Sequence, residues 1–411
     1  MRKSLYIFIT LLLFACCKKE EGTDIPDTTP QTTIMYMTGT NLSSCFDENI
    51  SAAKKAITKN GLGYGRFLIF RHDSSSSGYL VEYKYSNGSC ASEVLETYSD
   101  ITSLTVDALS TIIADAKSHA PADSYNLIIS GHATGWTPKD RYSDWNSTTV
   151  FSATSESDDI NWDAMSTSPV ITRYLGSKED SFFDISELRE GLEATDTHFG
   201  YILFDECFMS SIEALYELRN TCNYIIASPC EIMGYGFPYD TVLPKLFSNS
   251  GTTVDLQGAC EAYVDYYSTY SFPSGCVAMA VTSELDALAE ICYQINSTTT
   301  VESVDANTIQ PYERLEEHLF LDFEQYMLAL CNGNTLSGEF ISQMLKAFPT
   351  ECRLHTDRFF ANIGPYASTS NNYDAYYTTI NYYSGVTTSA PSNRMRTEWD
   401  ATSWNQATQK E

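Results

Sequence analysis

Positive charge is scarce in this chain: 25 Lys and Arg face 53 Asp and Glu across 411 residues, for a formal net charge of −28. Such a field repels nucleic acid phosphates and anionic lipid, which excludes nucleic acid as a partner, and it concentrates cationic peptides near any cleft. Histidine is sparse, and His72, His119, His198, His318 and His355 stand apart without the spacing of metal ligands. The cysteines include no CxxC pair, so a zinc knuckle is excluded, and from Cys45 to Cys352 they are scattered singly, with no readable disulfide pairing. No HExxH, GxSxG, P-loop or GxGxxG-plus-acid pattern occurs, which removes the common zinc protease, serine hydrolase and nucleotide-binding chemistries. Nothing repeats along the chain, which disfavours a purely structural envelope role.

What is present begins with a compartment signal. Arg2 and Lys3 precede an apolar run from Leu5 to Phe14 that is too short to cross a bilayer, then Ala15 and Cys16. Leu13-Phe14-Ala15-Cys16 resembles a bacterial lipobox, so residues 1–15 are expected to be a signal peptide and Cys16 the lipidated residue. The implied location is the cell envelope, with the protein anchored by lipid at the outer membrane or cell surface. A polar, Thr- and Pro-bearing stretch over 16–32 reads as a tether to the membrane. Beyond it, 43% apolar and 13% aromatic residues supply material for a sizeable core.

The pattern then alternates strand with helix. Thr33 to Gly39 is a short apolar run ending in glycine, Cys45 to Lys59 reads as a helix, and Arg66–Phe70 and Tyr79–Tyr85 read as strands around a Ser74–Gly78 turn. Val106 to Ala116 is apolar at helical spacing. Tyr125 to Ser130 is a compact hydrophobic strand that delivers His132, and Phe199 to Phe204 is a second that delivers Cys207. Phe208, Ile212, Leu215 and Leu218 read as one face of a following amphipathic helix. Asn223–Ser228 and Cys276–Thr282 read as further strands of the same kind. Such alternation implies an α/β fold with a parallel-dominated sheet covered on both faces, over 33–299, with a smaller C-terminal subdomain over 300–411 packed on it. Between the two delivered residues, Trp136 to Asp184 turns polar and loses periodicity.

In parallel sheets, chemistry gathers at the carboxyl ends of strands. A cysteine nucleophile needs thiolate character, which an imidazole and a helix N-terminus both promote. Two hydrophobic strands ending in His132 and Cys207 therefore form a candidate dyad.

These residues carry a resemblance. Ser130-Gly131-His132-Ala133-Thr134-Gly135-Trp136 and Phe204-Asp205-Glu206-Cys207-Phe208-Met209 resemble the histidine and cysteine blocks of the clostripain family of cysteine peptidases, within the caspase-like clan. Tyr36-Met37-Thr38-Gly39, Ala227-Ser228 through Tyr239, and Arg396-Thr397 through Trp404 are similar to further family segments, so the resemblance spans about 33 to 405. It implies a caspase-like fold, polypeptide substrates, Cys207 as nucleophile and His132 as proton donor to the leaving amine. The backbone N–H groups of Cys207 and Ala133 would meet the oxyanion, and no third catalytic side chain is required in the clan.

Two departures accompany it. Members usually carry glycine after the histidine, where this chain has Ala133, whose methyl would be strained if φ were positive. Members that cleave after Arg or Lys line the primary pocket with acids. Asp205 matches one, Tyr235 replaces the other, and Glu231 stands nearby as a substitute. The alternative is a catalytically silent relative, a surface lipoprotein binding glycan or protein through the Tyr- and Asn-rich stretch 366–383. Some members mature by cutting themselves in the segment between the blocks, which here holds Lys139, Arg141, Arg173 and Lys178. Some use calcium, for which Asp158-Asp159 is a candidate contact, although one carboxylate pair is not a site. No other cofactor is implied.

Overall fold

The structure, a computed structural model, describes residues 28–74, 77–99, 101–102, 104–141, 172–173, 183–247, 253–270, 273–299, 304–364 and 373–409. The signal peptide, Cys16, most of the tether, Asp158-Asp159 and Lys178 lie outside the described residues.

In chain order the first half gives β1 (Thr29–Met37), α1 (Ser43–Asn60), β2 (Gly65–Ser74), β3 (Ser77–Ser86), β4 (Ser89–Ser99), α2 (Val106–His119) and β5 (Ala122–Ser130). After the polar segment come α3 (Ile185–Glu193), β6 (Phe199–Asp205), α4 (Ile212–Leu218), β7 (Cys222–Ala227), the single turn α5 (Tyr239–Val242), α6 (Leu256–Ser268), β8 (Cys276–Val281) and α7 (Leu285–Thr298). Among the described residues the main sheet has nine strands, in the order Leu354–His355, β8, β7, β6, β5, β1, β2, β3, β4. From β7 through β2 every neighbouring pair is parallel. The continuous apolar runs of β5 and β6 are what strands covered on both faces require, and Leu127–Ile129 and Ile202–Phe204 are all buried. Helix α2 starts where Thr105 caps the backbone N–H of Ala108, and carries Asp107 in its first turn and Lys117 and His119 in its last, in keeping with the helix dipole.

Three expectations change. The sheet begins at Thr29, ahead of the apolar run, because Thr29 and Gln31 already pair with Ala122 and Ser124. The polar strand β4 has too weak an alternation to stand out in the sequence: it is an edge strand paired only with β3. And β8 runs antiparallel to β7, a direction that an apolar run does not encode.

The C-terminal region is built into the same core. Leu354–His355 extends the main sheet beyond β8, and Phe320, Trp399 and Trp404 are buried within the common hydrophobic cluster. Its tie to α4 is Glu213, which is buried and whose Oε1 accepts from Thr388 Oγ1, Ser389 N–H and Trp399 Nε1–H at 2.9, 2.9 and 2.8 Å. Glu213 Oε2 has no partner among the described residues, and burial raises the carboxyl above its ordinary range. Glu213→Ala strands three buried donors and should cost about 3 kcal/mol in chemical denaturation. The neutral Glu213→Gln keeps the acceptor and should cost clearly less.

Candidate active site

Strands β5 and β6 end together, with Ser130 and Asp205 as register partners. His132 and Cys207 each lie two residues past that matched pair, so parallel pairing alone brings the two onto one edge of the sheet. The helix expected right after Cys207 starts later. Phe208 takes φ 61°, its N–H is bonded to Cys230 O at 3.1 Å, and α4 begins only at Ile212, capped by Ser211. The α4 dipole therefore does not act on Cys207, and Phe208 belongs to a tight turn whose ring stacks on Phe320 at 4.7 Å. The Cys207 Sγ accepts the Ile232 N–H at 3.3 Å. Burial, then the Glu231 charge, pushes this thiol well above its ordinary value.

The His132 ring is buried and held at both nitrogens. Nδ1 is 2.7 Å from the Arg173 carbonyl oxygen and Nε2 is 2.8 Å from Asn41 Oδ1. A carbonyl only accepts, so Nδ1 donates to Arg173. Burial first, and the Arg173 charge after it, pulls the imidazole down to about 4. Ala133 does not adopt positive φ, so its methyl brings no strain. The N–H groups of Ala133 and Cys207 take part in no hydrogen bond among the described residues.

The centre of the site is Arg173, with 0% of its surface exposed. Its Nη1 lies 2.7 Å from Asp205 Oδ2 and donates to Ser130 Oγ at 2.6 Å and Asp205 O at 2.8 Å. Nη2 donates to Asn49 Oδ1 at 2.6 Å and Nε to Gly234 O at 3.2 Å. Asp205 also accepts from Tyr239 OH at 2.8 Å, Phe237 N–H at 3.1 Å and Ser130 Oγ at 3.2 Å. Burial pushes this carboxyl up, while the guanidinium and these donors pull it back. These donors favour the carboxylate form against the burial that leaves the group above its ordinary range. Gly236 makes the pocket: it has φ 64°, and a Cβ there would stand 2.3 Å from both Arg173 Nη2 and Asp205 Oδ1.

The backbone on either side is held like an added strand. Thr172 bridges antiparallel to Met233, and the Arg173 N–H donates to Ile232 O at 2.7 Å. Glu231 does not meet the guanidinium. It accepts from Thr172 Oγ1 and from the N–H groups of Asn362 and Ile363, and burial lifts it to about 7. Tyr235 contributes its carbonyl, which accepts from Asn49 Nδ2. Sequence reasoning misses Asn41 and Asn49, which come from different elements and carry no motif of their own, and gives Ser130 of the histidine block no role. Glu206, buried and next to Cys207 in the chain, has its carboxyl raised well above the ordinary range by burial and then by Asp205. Among the described residues no cluster of three His, Cys, Asp or Glu is arranged to hold a metal ion.

The model of the clostripain family matches residues 36–399. A search of the curated proteins finds no match. Among solved structures the chain is similar to a secreted C11 cysteine protease from Bacteroides thetaiotaomicron, "iotapain", at 30% identity and TM-score 0.78, covering 93% of this chain and 99% of that one. An inactive zymogen C11 protease from Parabacteroides distasonis is 27% identical with TM-score 0.75, covering 94% and 99%. A second secreted C11 cysteine protease from B. thetaiotaomicron, bound to an irreversible peptide inhibitor, is 23% identical with TM-score 0.72 over 92% and 99%, a likeness of fold.

The buried ring should stay neutral down to about pH 4. NMR of the His132 ring in the Cys207→Ala chain should give a midpoint near 4 rather than 6.5. Stability tied to that ring is then full above the unfolded value of 6.5 and lost as pH falls through about 4.

Proposed function

Because the chain belongs to the clostripain family of cysteine peptidases, we propose that it is an endopeptidase acting through Cys207 and His132, with preference for arginine on the carbonyl side of the cut bond. The observation that carries this reading is Arg173, whose guanidinium is gripped by Asp205 and Asn49 while its carbonyl meets His132. The side chain fills the pocket as a substrate's arginine would, carried by the chain's own backbone, while its carbonyl rests on His132 Nδ1. Cys207 Sγ gives its proton to His132 and attacks the carbonyl carbon, and the N–H groups of Cys207 and Ala133 take the oxyanion. The C–N bond then breaks as His132 protonates the amine, and water hydrolyses the thioester.

The acceptors around Arg173 are spread over three nitrogens, which suits a planar fork and not the single ammonium of lysine. The same posture makes Arg173–Tyr174 the first bond to be cut, in a precursor that blocks its own pocket. A relative described as an inactive zymogen supports a precursor form. Two other basic residues flanking that segment are engaged elsewhere, Lys139 with Glu187 and Arg141 with Glu398.

An electrophilic peptide carrying Arg beside the warhead should label the processed protein at Cys207 and leave Cys207→Ala unlabelled. Arg substrates should be cut at least tenfold faster than Lys substrates, and Asp205→Ala should erase most of that activity. Mass spectrometry of wild type should show a cut after Arg173 that Arg173→Ala and Cys207→Ala both lack. Labelling of Cys207→Ala, or an equal rate for all first residues, overturns the reading.

We also propose that Cys16 is lipidated and that the enzyme acts on polypeptides outside the cytoplasm. A secreted relative supports this, and no helix among the described residues is long and apolar enough to cross a membrane. Cys16→Ser should move the protein from the membrane pellet to the soluble fraction.

A further inference from the structure

Dyad chemistry leaves the second nitrogen of the histidine unassigned. In this chain it has a dedicated partner, and the loop after β1 is shaped to supply it. Met37 ends β1, Gly39 turns the chain at φ 115°, and a short 3-10 turn over Thr40–Leu42 follows. The Leu42 N–H closes that turn on Gly39 O at 3.0 Å. A Cβ at Gly39 would sit 3.4 Å from His132 Cδ2 and 3.6 Å from Asn41 Oδ1, so the turn already lies against the imidazole edge. Positive φ lets the chain bend back over the ring, and Asn41 Oδ1 then reaches Nε2 at 2.8 Å.

From this geometry we infer that Asn41 is a positioning residue: it holds His132 Nε2 so that Nδ1 is the nitrogen that gives and takes the proton at the scissile bond. The inference rests on the dyad reading above. Nδ1 faces the Arg173 carbonyl, which is where the leaving amine departs. The reaction uses the tautomer whose proton sits on Nε2 and is accepted by Asn41 Oδ1: bare Nδ1 takes the Cys207 proton and delivers it to that amine, and the Nε2 proton stays on Asn41 throughout. The emptied Nδ1 is then the base that takes a proton from the water attacking the thioester. Without Asn41 the ring can rotate about its bond to Cβ, and its proton can settle on either nitrogen.

An amide suits this task better than a carboxylate. In the intact chain both ring nitrogens face acceptor oxygens, a demand that a neutral imidazole meets on one side only. The Asn41 side chain is exposed, so its amide can turn end for end and offer Nδ2–H to an unprotonated Nε2. Asn41 thus offers a donor to the resting tautomer, whose proton is on Nδ1 at the Arg173 carbonyl, and an acceptor to the tautomer the reaction uses, whereas an aspartate would favour the charged ring. The other ionisable groups around the ring are the Arg173 guanidinium, the Cys207 thiol past the end of β6, and Glu206, whose Oε1 would stand 3.1 Å from a Cβ at Gly131. None of them bonds Nε2.

The test uses processed wild type, Asn41→Ala, Asn41→Asp and Asn41→Gln with an Arg peptide substrate, reading kcat, KM and the pH profile of kcat/KM. Asn41→Ala should lower kcat at least tenfold with KM within twofold. Asn41→Asp should move the histidine limb of the profile upward by about one pH unit, since a carboxylate favours imidazolium. Asn41→Gln should recover part of the lost kcat without moving that limb. Active-site titration with the Arg probe confirms that each variant is folded, because Asn41 is exposed and outside the core. Wild-type activity with an unchanged Asn41→Ala overturns the inference, as does an Asn41→Asp profile whose limb does not move. An inactive wild type would instead sink the dyad reading, so the two failures are distinguishable.

Discussion

Everything at the edge of this sheet is arranged around one buried ion pair, Arg173 with Asp205 at 2.7 Å. Two charges fully withdrawn from water are tolerated only where every remaining donor and acceptor is matched. That demand explains the surrounding residues. Ser130 relays a hydrogen bond between the two partners, Tyr239 and the Phe237 N–H complete the carboxylate, and Asn49 and two carbonyls complete the guanidinium. A pocket that satisfies a guanidinium this fully cannot stand empty without cost: with Arg173 removed, Asp205 is left as an uncompensated carboxylate. The pair thereby couples the state of the chain's own segment to the integrity of the pocket.

Much of the site is legible in the sequence itself. Strand ends carrying His132 and Cys207 can be read because buried parallel strands are continuous apolar runs, and the register pairing of Ser130 with Asp205 turns that reading into juxtaposition. Asp205 is legible through the family block. Asn49 is not, because a polar residue in a helix reads as surface until the helix is docked, and this one is buried against Tyr235 and Arg173. Glu231 reads as a pocket acid on proximity in sequence, yet its carboxylate turns to Thr172 and the Asn362 and Ile363 N–H groups. The helix start misleads for a similar reason. Phe208 continues the apolar spacing of Ile212 and Leu215, but spacing carries no information about φ, and at Phe208 it is positive.

The C-terminal region looks peripheral in sequence and is not so in the fold. Phe320 stacks on Phe208 next to Cys207, Asn362 and Ile363 hold Glu231, and Glu213 gathers Thr388, Ser389 and Trp399. The turn that presents Cys207 is therefore braced from residues more than a hundred positions downstream, which ties the chemistry to completion of the whole chain.

The backbone continuity of Arg173 has a kinetic side. On the proposed reading, an outside peptide meets in the uncut chain not a vacant pocket but a rival attached to the same molecule. A rival on the same chain has an effective concentration on the order of millimolar. It never diffuses away, so dilution cannot relieve it. On the proposed reading, peptides present well below that concentration lose the competition, and release comes from severing the tether rather than from outcompeting it. The escape is a single covalent event, independent of how much substrate surrounds the enzyme.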